Sequence, residues 1–206
     1  MNYRLILLCC GILLAGAKCT EVDVTDPKVA AVMNELNTEW RKGYQAMLAE
    51  VGARHYPMDR STAFNGMRKV LEELGFTIAM TEGEYYLGVH ILAQEMFTEE
   101  EWQAIRARDE PGMKTIAVKH LGLKGNFAEL EPEGLMIDGV IILLENSGGV
   151  DISITFRLRA IKEAPPESIL PRREYPPPYA ARTGYEKIWN RFERLVPPLA
   201  RMRDKD

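Results

Sequence analysis

The side chains from Val150 to Ala160 alternate without a break. Val150, Ile152, Ile154, Phe156, Leu158 and Ala160 point one way, and Asp151, Ser153, Thr155, Arg157 and Arg159 point the other. A period of two over this length specifies a strand with one face buried and one in water. The preceding stretch, Gly134 to Glu145, is apolar on both sides around Val140-Ile141-Ile142-Leu143-Leu144. It reads as a central strand, joined to the next by the turn Asn146-Ser147-Gly148-Gly149. A hairpin with one dry face cannot stand alone, so the rest of the chain has to cover that face.

Helices supply the cover. Asp26 caps and Pro27 opens a first helix to about Glu50, with Val29, Val32, Leu36, Trp40, Tyr44 and Met47 at three- and four-residue steps. That stripe reads as a packing face, with peripheral docking of a partner as the alternative. Arg54 to Met58 is a short strand candidate, and Asp59 or Ser61 caps a second helix that Gly75 ends. Phe76 to Met80 and Tyr85 to Ala93 read as paired strands around a turn at Thr81–Glu84. Thr98-Glu99-Glu100-Glu101 is a capping box opening a helical pair, with Glu110-Pro111 as the restart and Gly122 to Glu133 as loop. A proline-rich stretch, Lys162 to Pro178, should run extended over the surface. A last helix buries Tyr185, Ile188, Trp189, Phe192 and Leu195, and Pro197-Pro198 stops it. The pieces predict an α+β domain: an antiparallel sheet of four to five strands with helices packed mainly on one face.

Ala63-Phe64 through Leu71-Glu72-Glu73-Leu74-Gly75-Phe76-Thr77-Ile78, with Gly88 in the next strand, resembles the β-helix-β-β unit of uncharacterised bacterial envelope lipoproteins. It is also loosely similar to the helix-grip modules of the accessory lipoproteins of outer-membrane assembly. The match covers Arg54 to Ile91. The resemblance implies a helix packed on a hairpin and brings no catalytic residue with it.

The N-terminus agrees with an exported protein. Arg4 precedes an uncharged, mostly apolar run from Leu5 to Ala17, and Ala15-Gly16-Ala17 is a small-x-small cleavage pattern. The run is shorter than the roughly 20 apolar residues that a spanning helix needs. Residues 1–17 are therefore expected to be a signal peptide, extending to 18 if Cys19 is lipidated. Residues 20–27 form a short tether, 28–196 a single domain and 197–206 a polar tail. Gly16-Ala17-Lys18-Cys19 departs from the Leu-Ala-Gly-Cys pattern of lipoprotein signals, yet Cys19 stands where the lipidated cysteine belongs. Both routes stay open: a free periplasmic protein, or one anchored through Cys19, to the outer membrane in preference to the inner. At most one cysteine survives processing, so the domain rests on its core without disulfides.

Few activities fit. The formal net charge is −4 with no basic block, which argues against nucleic acid as a partner. His55, His90 and His120 lie in different elements without metal-ligand spacing. No G-x-S-x-G, P-loop or dinucleotide glycine pattern is present, so no catalytic residue, metal or cofactor is expected. Arg157 and Arg159, with Arg172 and Arg173 on the following loop, form one candidate binding surface for an anionic head group or glycan. The plainer account is a solvated sheet face whose charges oppose aggregation. Tyr175 and Tyr179 flank Pro176-Pro177-Pro178 and either offer a stiff docking surface or pack the loop onto the domain.

The expectation is a non-enzymatic envelope protein that binds or supports the assembly of another envelope protein, a lipid or a glycan. The alternative is a periplasmic domain for a small lipid or cell-wall fragment, with a pocket between sheet and terminal helix lined by Trp189, Phe192 and methionines. An enzyme comes third.

Overall fold

The computed structural model describes residues 25–165 and 167–196. The signal, Cys19, most of the tether and the 197–206 tail lie outside the described residues. Helices α1 (Pro27–Val51), α2 (Arg60–Glu73), α3 (Ala93–Met96), α4 (Glu99–Leu121) and α5 (Pro178–Leu195) accompany strands β1 (Ala53–Tyr56), β2 (Thr77–Glu82), β3 (Tyr86–Leu92), β4 (Leu135–Asn146) and β5 (Gly149–Ala160). The strands form one sheet in the order β1-β5-β4-β3-β2, antiparallel throughout. This is the expected α+β architecture. The strands β2 to β5 are a meander, and β1 returns to the far edge beside β5.

Local signals behave as the sequence indicates. The Asp26 carboxylate accepts the Lys28 N–H at 2.8 Å, and the Asp59 carboxylate accepts the Thr62 N–H at 2.8 Å. At the end of α2, Gly75 takes φ +89°. The Phe76 N–H then reaches the Leu71 carbonyl and the Gly75 N–H the Glu72 carbonyl, which is the double bond of a Schellman ending. Helices α1, α2, α4 and α5 lay their apolar stripes on one side of the sheet, against Leu87, Val89, Ile91, Ile141, Leu143, Val150, Ile152 and Ile154. α1 contributes Val32, Leu36, Trp40 and Tyr44 to that core and is not a peripheral partner-binding helix.

Four expectations are corrected. The helical pair is one helix: α4 runs continuously from Glu99 to Leu121 with Pro111 inside it. Pro111 forfeits a backbone bond, and tertiary contacts hold the chain on both sides. Asp109 accepts two N–H groups of α5, and Glu110 accepts the Leu130 N–H while pairing with Lys114. The start of the following loop is a 3-10 turn, Gly122–Phe127. Strand β4 is central, but only one of its faces is covered: Ile142 is 36% exposed and Leu144 60%. The proline-rich stretch does not merely cross the surface, because Leu170 and Arg173 are buried.

Strand β5 outruns its neighbour. β1 pairs only with Val150–Ser153, so further along, the β1-side backbone groups of β5 need other partners. Gly52 accepts the Ile154 N–H at 2.8 Å. The Tyr44 hydroxyl accepts the Phe156 N–H at 2.9 Å and donates to its carbonyl at 2.7 Å. The Tyr185 hydroxyl donates to the Ile154 carbonyl at 3.0 Å. Two phenols, one from α1 and one from α5, thus continue the ladder where β1 ends.

Candidate functional site

The place where those phenols meet β5 adjoins a cavity of about 60 Å³. Ile137, Phe156 and Leu158 of the sheet form its floor, and Ala180, Ala181 and Gly184 of α5 form one wall. Met96, Phe97 and Trp102, around the start of α4, form another. Two irregular segments complete it, with Glu131 and Pro132 from one and Arg173, Pro176 and Pro177 from the other. Small residues keep it open. A Cβ at Gly139 would lie 2.5 Å from the Phe156 ring, so only glycine lets that ring lie flat over β4. A Cβ at Gly184 would come within 3.3 Å of the Met96 methyl. Phe156 is further fixed by an edge-on contact with Tyr185 and stacking on Phe76.

The tyrosines are spent on structure. The hydroxyls of Tyr44 and Tyr185 lie 3.1 Å apart, each giving its one proton to a β5 carbonyl. Burial raises both phenols above the ordinary tyrosine value, so they stay protonated at neutral pH and neither serves as a base. Arg173 is different. It is 8% exposed. Its Nη1 donates to the Met113 sulfur at 3.3 Å, and its guanidinium lies 5.3 Å from the centre of the Trp40 ring. No carboxylate of the described residues comes within 4.0 Å of it. Burial is the main cause that lowers its pKa to about 10, opposed by the pull of Glu131 and Glu110 and aided by Arg172. Glu131, also on the cavity wall, is raised by burial against the influence of Ser168, Arg172 and Arg173.

The candidate surface of Arg157, Arg159, Tyr175 and Tyr179 does not assemble in one place. Arg157 and Arg159 stand on the uncovered face of the sheet. Arg159 is held there by Asp138, at 2.6 and 3.0 Å, while Arg157 makes no ion pair among the described residues. Tyr175 packs against the core. Tyr179 sits in the first turn of α5, where its N–H donates to Asp109 at 3.2 Å. Arg172 is tied to the backbone carbonyls of Glu131 and Glu163. Arg173 is the member of the set that turns inward. Its neighbours Ile169, Leu170 and Tyr175 pack on the core and anchor this loop. The region around Trp189 and Phe192, where a pocket was expected, is filled: both are fully buried in the core.

The histidines form no cluster. His55 bonds Asp151 at 2.8 Å, His120 bonds Glu35 at 2.7 Å, and His90 faces the open side of β3. Among the described residues no group of three His, Cys, Asp or Glu is placed to hold a metal ion, and no helix is long and apolar enough to cross a membrane. The open sheet face carries a band of Met80, Tyr86, Val140, Ile142 and Leu144, with Met80 53% exposed. No protein-family model matches the chain, and no curated protein or solved structure is detectably similar to it.

Proposed function

We propose that this protein is a non-enzymatic binding domain that works outside the cytoplasm, and that its binding site is the cavity between the sheet, α5 and the two irregular segments. The observation that carries this is a partly open, apolar cavity lined by Phe97, Trp102, Phe156 and Ala181. Ligand sites are concave and mostly apolar with a few polar groups at the wall, and Glu131 and Arg173 stand at this one. The test is xenon binding, because xenon enters a dry apolar cavity whatever its polar lining. Backbone amide shifts of Ala181, Gly184 and Ile137 should move saturably under xenon pressure. Uniform small shifts across the domain would remove the proposal.

The site of action follows from the N-terminal residues 1–19 and has its own test. The mature N-terminal peptide is weighed from separated membrane and soluble fractions. A diacylated Cys19 in the membrane fraction means a tethered domain. An unmodified peptide beginning at Lys18 in the soluble fraction means a free periplasmic one. An intact Met1 peptide would refute export.

A second reading, support of an envelope assembly, draws on the open sheet face. The partner that fits is a protein surface apolar at its centre, to meet Met80, Ile142 and Leu144, with an acidic group opposite Arg157. On that face Arg159 is already matched by Asp138, and Asp151 bonds His55. Cross-linking in cells should capture one protein that Arg157→Glu and Ile142→Ser both release; equal capture by both variants rules the surface out.

A further inference from the structure

One end of the domain carries the two most exposed large apolar side chains of the described residues, Leu123 at 83% and Phe127 at 73%. Lys124 stands between them. We propose that this turn, Gly122–Phe127, is a membrane-contact site: Leu123 and Phe127 enter the interface of a phospholipid bilayer, and Lys124 meets its phosphates. The contact goes beyond the cavity reading and does not depend on it.

The turn is built to project. A 3-10 helix repeats every three residues, so Gly122-Leu123-Lys124-Gly125-Asn126-Phe127 has three sides. The glycine side packs on α4, where a Cβ at Gly125 would lie 2.2 Å from the Val118 nitrogen. The other two sides carry Leu123 with Asn126 and Lys124 with Phe127, all exposed. Bonds at the turn fix it. The Gly122 N–H donates to the Val118 carbonyl, the Asn126 amide to the Leu123 carbonyl at 3.3 Å, and the Ala128 N–H to the Gly125 carbonyl at 3.2 Å. The chain then returns to the core at Ala128 and Leu130, both buried. Single exposed apolar side chains are ordinary. Two large ones on a fixed turn, with a lysine between them, match a surface that seats at a headgroup layer. The apolar groups go in, and the lysine stem follows with its charge at the phosphates.

The position of the turn favours a bilayer over a protein partner. Helices α1 and α4 run antiparallel: Glu35 bonds Lys119 at 2.8 Å and His120 at 2.7 Å, and further into both helices Trp40 and Met113 share Arg173. The start of α1 therefore lies at the same end as the turn that follows α4. Residues 20–26, fully extended, reach about 25 Å, so an acyl anchor on Cys19 would hold this end of the domain at a membrane surface. That step uses the reading of residues 1–19 as an export signal; the exposure of the turn does not. The charges here suit an anionic leaflet modestly. Lys28 and Lys124 make no ion pair among the described residues, while Lys119 is matched by Glu35, and Glu129 follows the turn. The apolar pair carries the contact and Lys124 adds to it.

The experiment uses the unacylated mature chain from Lys18, with vesicles of phosphatidylethanolamine and phosphatidylglycerol that carry a nitroxide on the acyl chain. The amide signals of Leu123, Lys124 and Phe127 should broaden, and those of Met80 and Ile142 on the open sheet face should not. Leu123→Ser combined with Phe127→Ser should lower co-sedimentation affinity by about tenfold or more with an unchanged circular dichroism spectrum. Phe127→Trp, which keeps an interface-seeking ring, should retain parental affinity. Lys124→Gln should weaken binding about fivefold on these vesicles and leave binding to phosphatidylcholine vesicles unchanged. Broadening at Met80 and Ile142 in place of the turn overturns the proposal, and so does broadening nowhere. Equal affinity of the parent and the double variant overturns it as well. A dimer in vesicle-free solution that the double variant abolishes assigns the turn to a second copy of the chain instead. The xenon measurement is independent: its failure removes the cavity reading alone, and failure here leaves that reading standing.

Discussion

Tyr44→Phe removes one oxygen and leaves the Phe156 N–H and C=O buried with nothing to bond. Each orphaned group costs about 1–3 kcal/mol, so urea denaturation should show a loss of about 2–6 kcal/mol. A loss below about 0.5 kcal/mol would mean that water takes over the phenol's role. Arg173 should behave in the opposite way. Its folded pKa, about 10, lies below the ordinary arginine range, so the folded state holds that proton less tightly than the unfolded one. The favourable contribution is complete above the unfolded value and lost as pH falls through about 10; at neutral pH the charged group costs stability. Arg173→Met should therefore stabilise the domain, by on the order of 1–3 kcal/mol. A lower melting temperature for Arg173→Met would show that the guanidinium is a structural support. Neither residue's role could be read from sequence. Tyr44 is legible as a buried position of α1 by its spacing, but its hydroxyl finds β5 only after the chain has folded. Arg173 lies among prolines and charges that read as exposed loop, and what buries it comes from α1 and α4.

Elements were most legible where their signals are local. The Asp59 cap, the Thr98–Glu101 capping box, the Gly75 stop and the β5 alternation each act within a few residues, and each stands where the sequence places it. Pro111 misleads for the complementary reason: an interior proline is a local stop signal, overridden by contacts from α5 and from the segment after the 3-10 turn. Asp109 is part of that override. It caps the first turn of α5, which has no side-chain cap of its own. Burial raises its pKa above 3.8 despite two backbone N–H donors. Between 3.8 and the raised value the folded state keeps a proton that the unfolded state has lost, so this group's contribution falls as pH rises through that window. Asp109→Asn keeps an acceptor without the charge, and its melting temperature relative to the parent should climb from pH 4 to pH 7. Parallel curves would show that the carboxylate is not desolvated. Strand β4 offers a sharper contrast. Ile141 is fully buried and Ile142 faces the open side. Ile141→Ala should cost about 2–5 kcal/mol, and Ile142→Ala under about 1 kcal/mol. Comparable losses would mean that the open face is covered in solution.

At the scale of the molecule, the two hairpins and the single layer of helices follow from patterning, because a half-apolar sheet needs one cover and short turns make neighbours. The place of β1 does not follow. Arg54 to Met58 reads as a strand beside α2, yet its partner lies on the other side of the sheet, and nothing in so short a segment names β5. The cavity was equally hidden, since it is a space that five separate segments leave between them. That topology also orders events in time. The strands β2 to β5 join neighbours through turns or one helical excursion, whereas β1 must close a loop from His55 to Asp151, 96 residues apart. Long closures are entropically late. The meander should condense first, and β1 should seat itself on a finished edge. Mutations in β1, such as Tyr56→Ala, should then accelerate unfolding in stopped-flow kinetics and leave the refolding rate almost unchanged. Until β1 arrives, the β5 edge from Val150 to Ser153 stands open, and beyond it the edge is guarded by Gly52 and by two tyrosines whose helices, α1 and α5, are the first and last described. The last stage of folding is then a race between closing that edge with the protein's own first strand and leaving it open to a neighbour's.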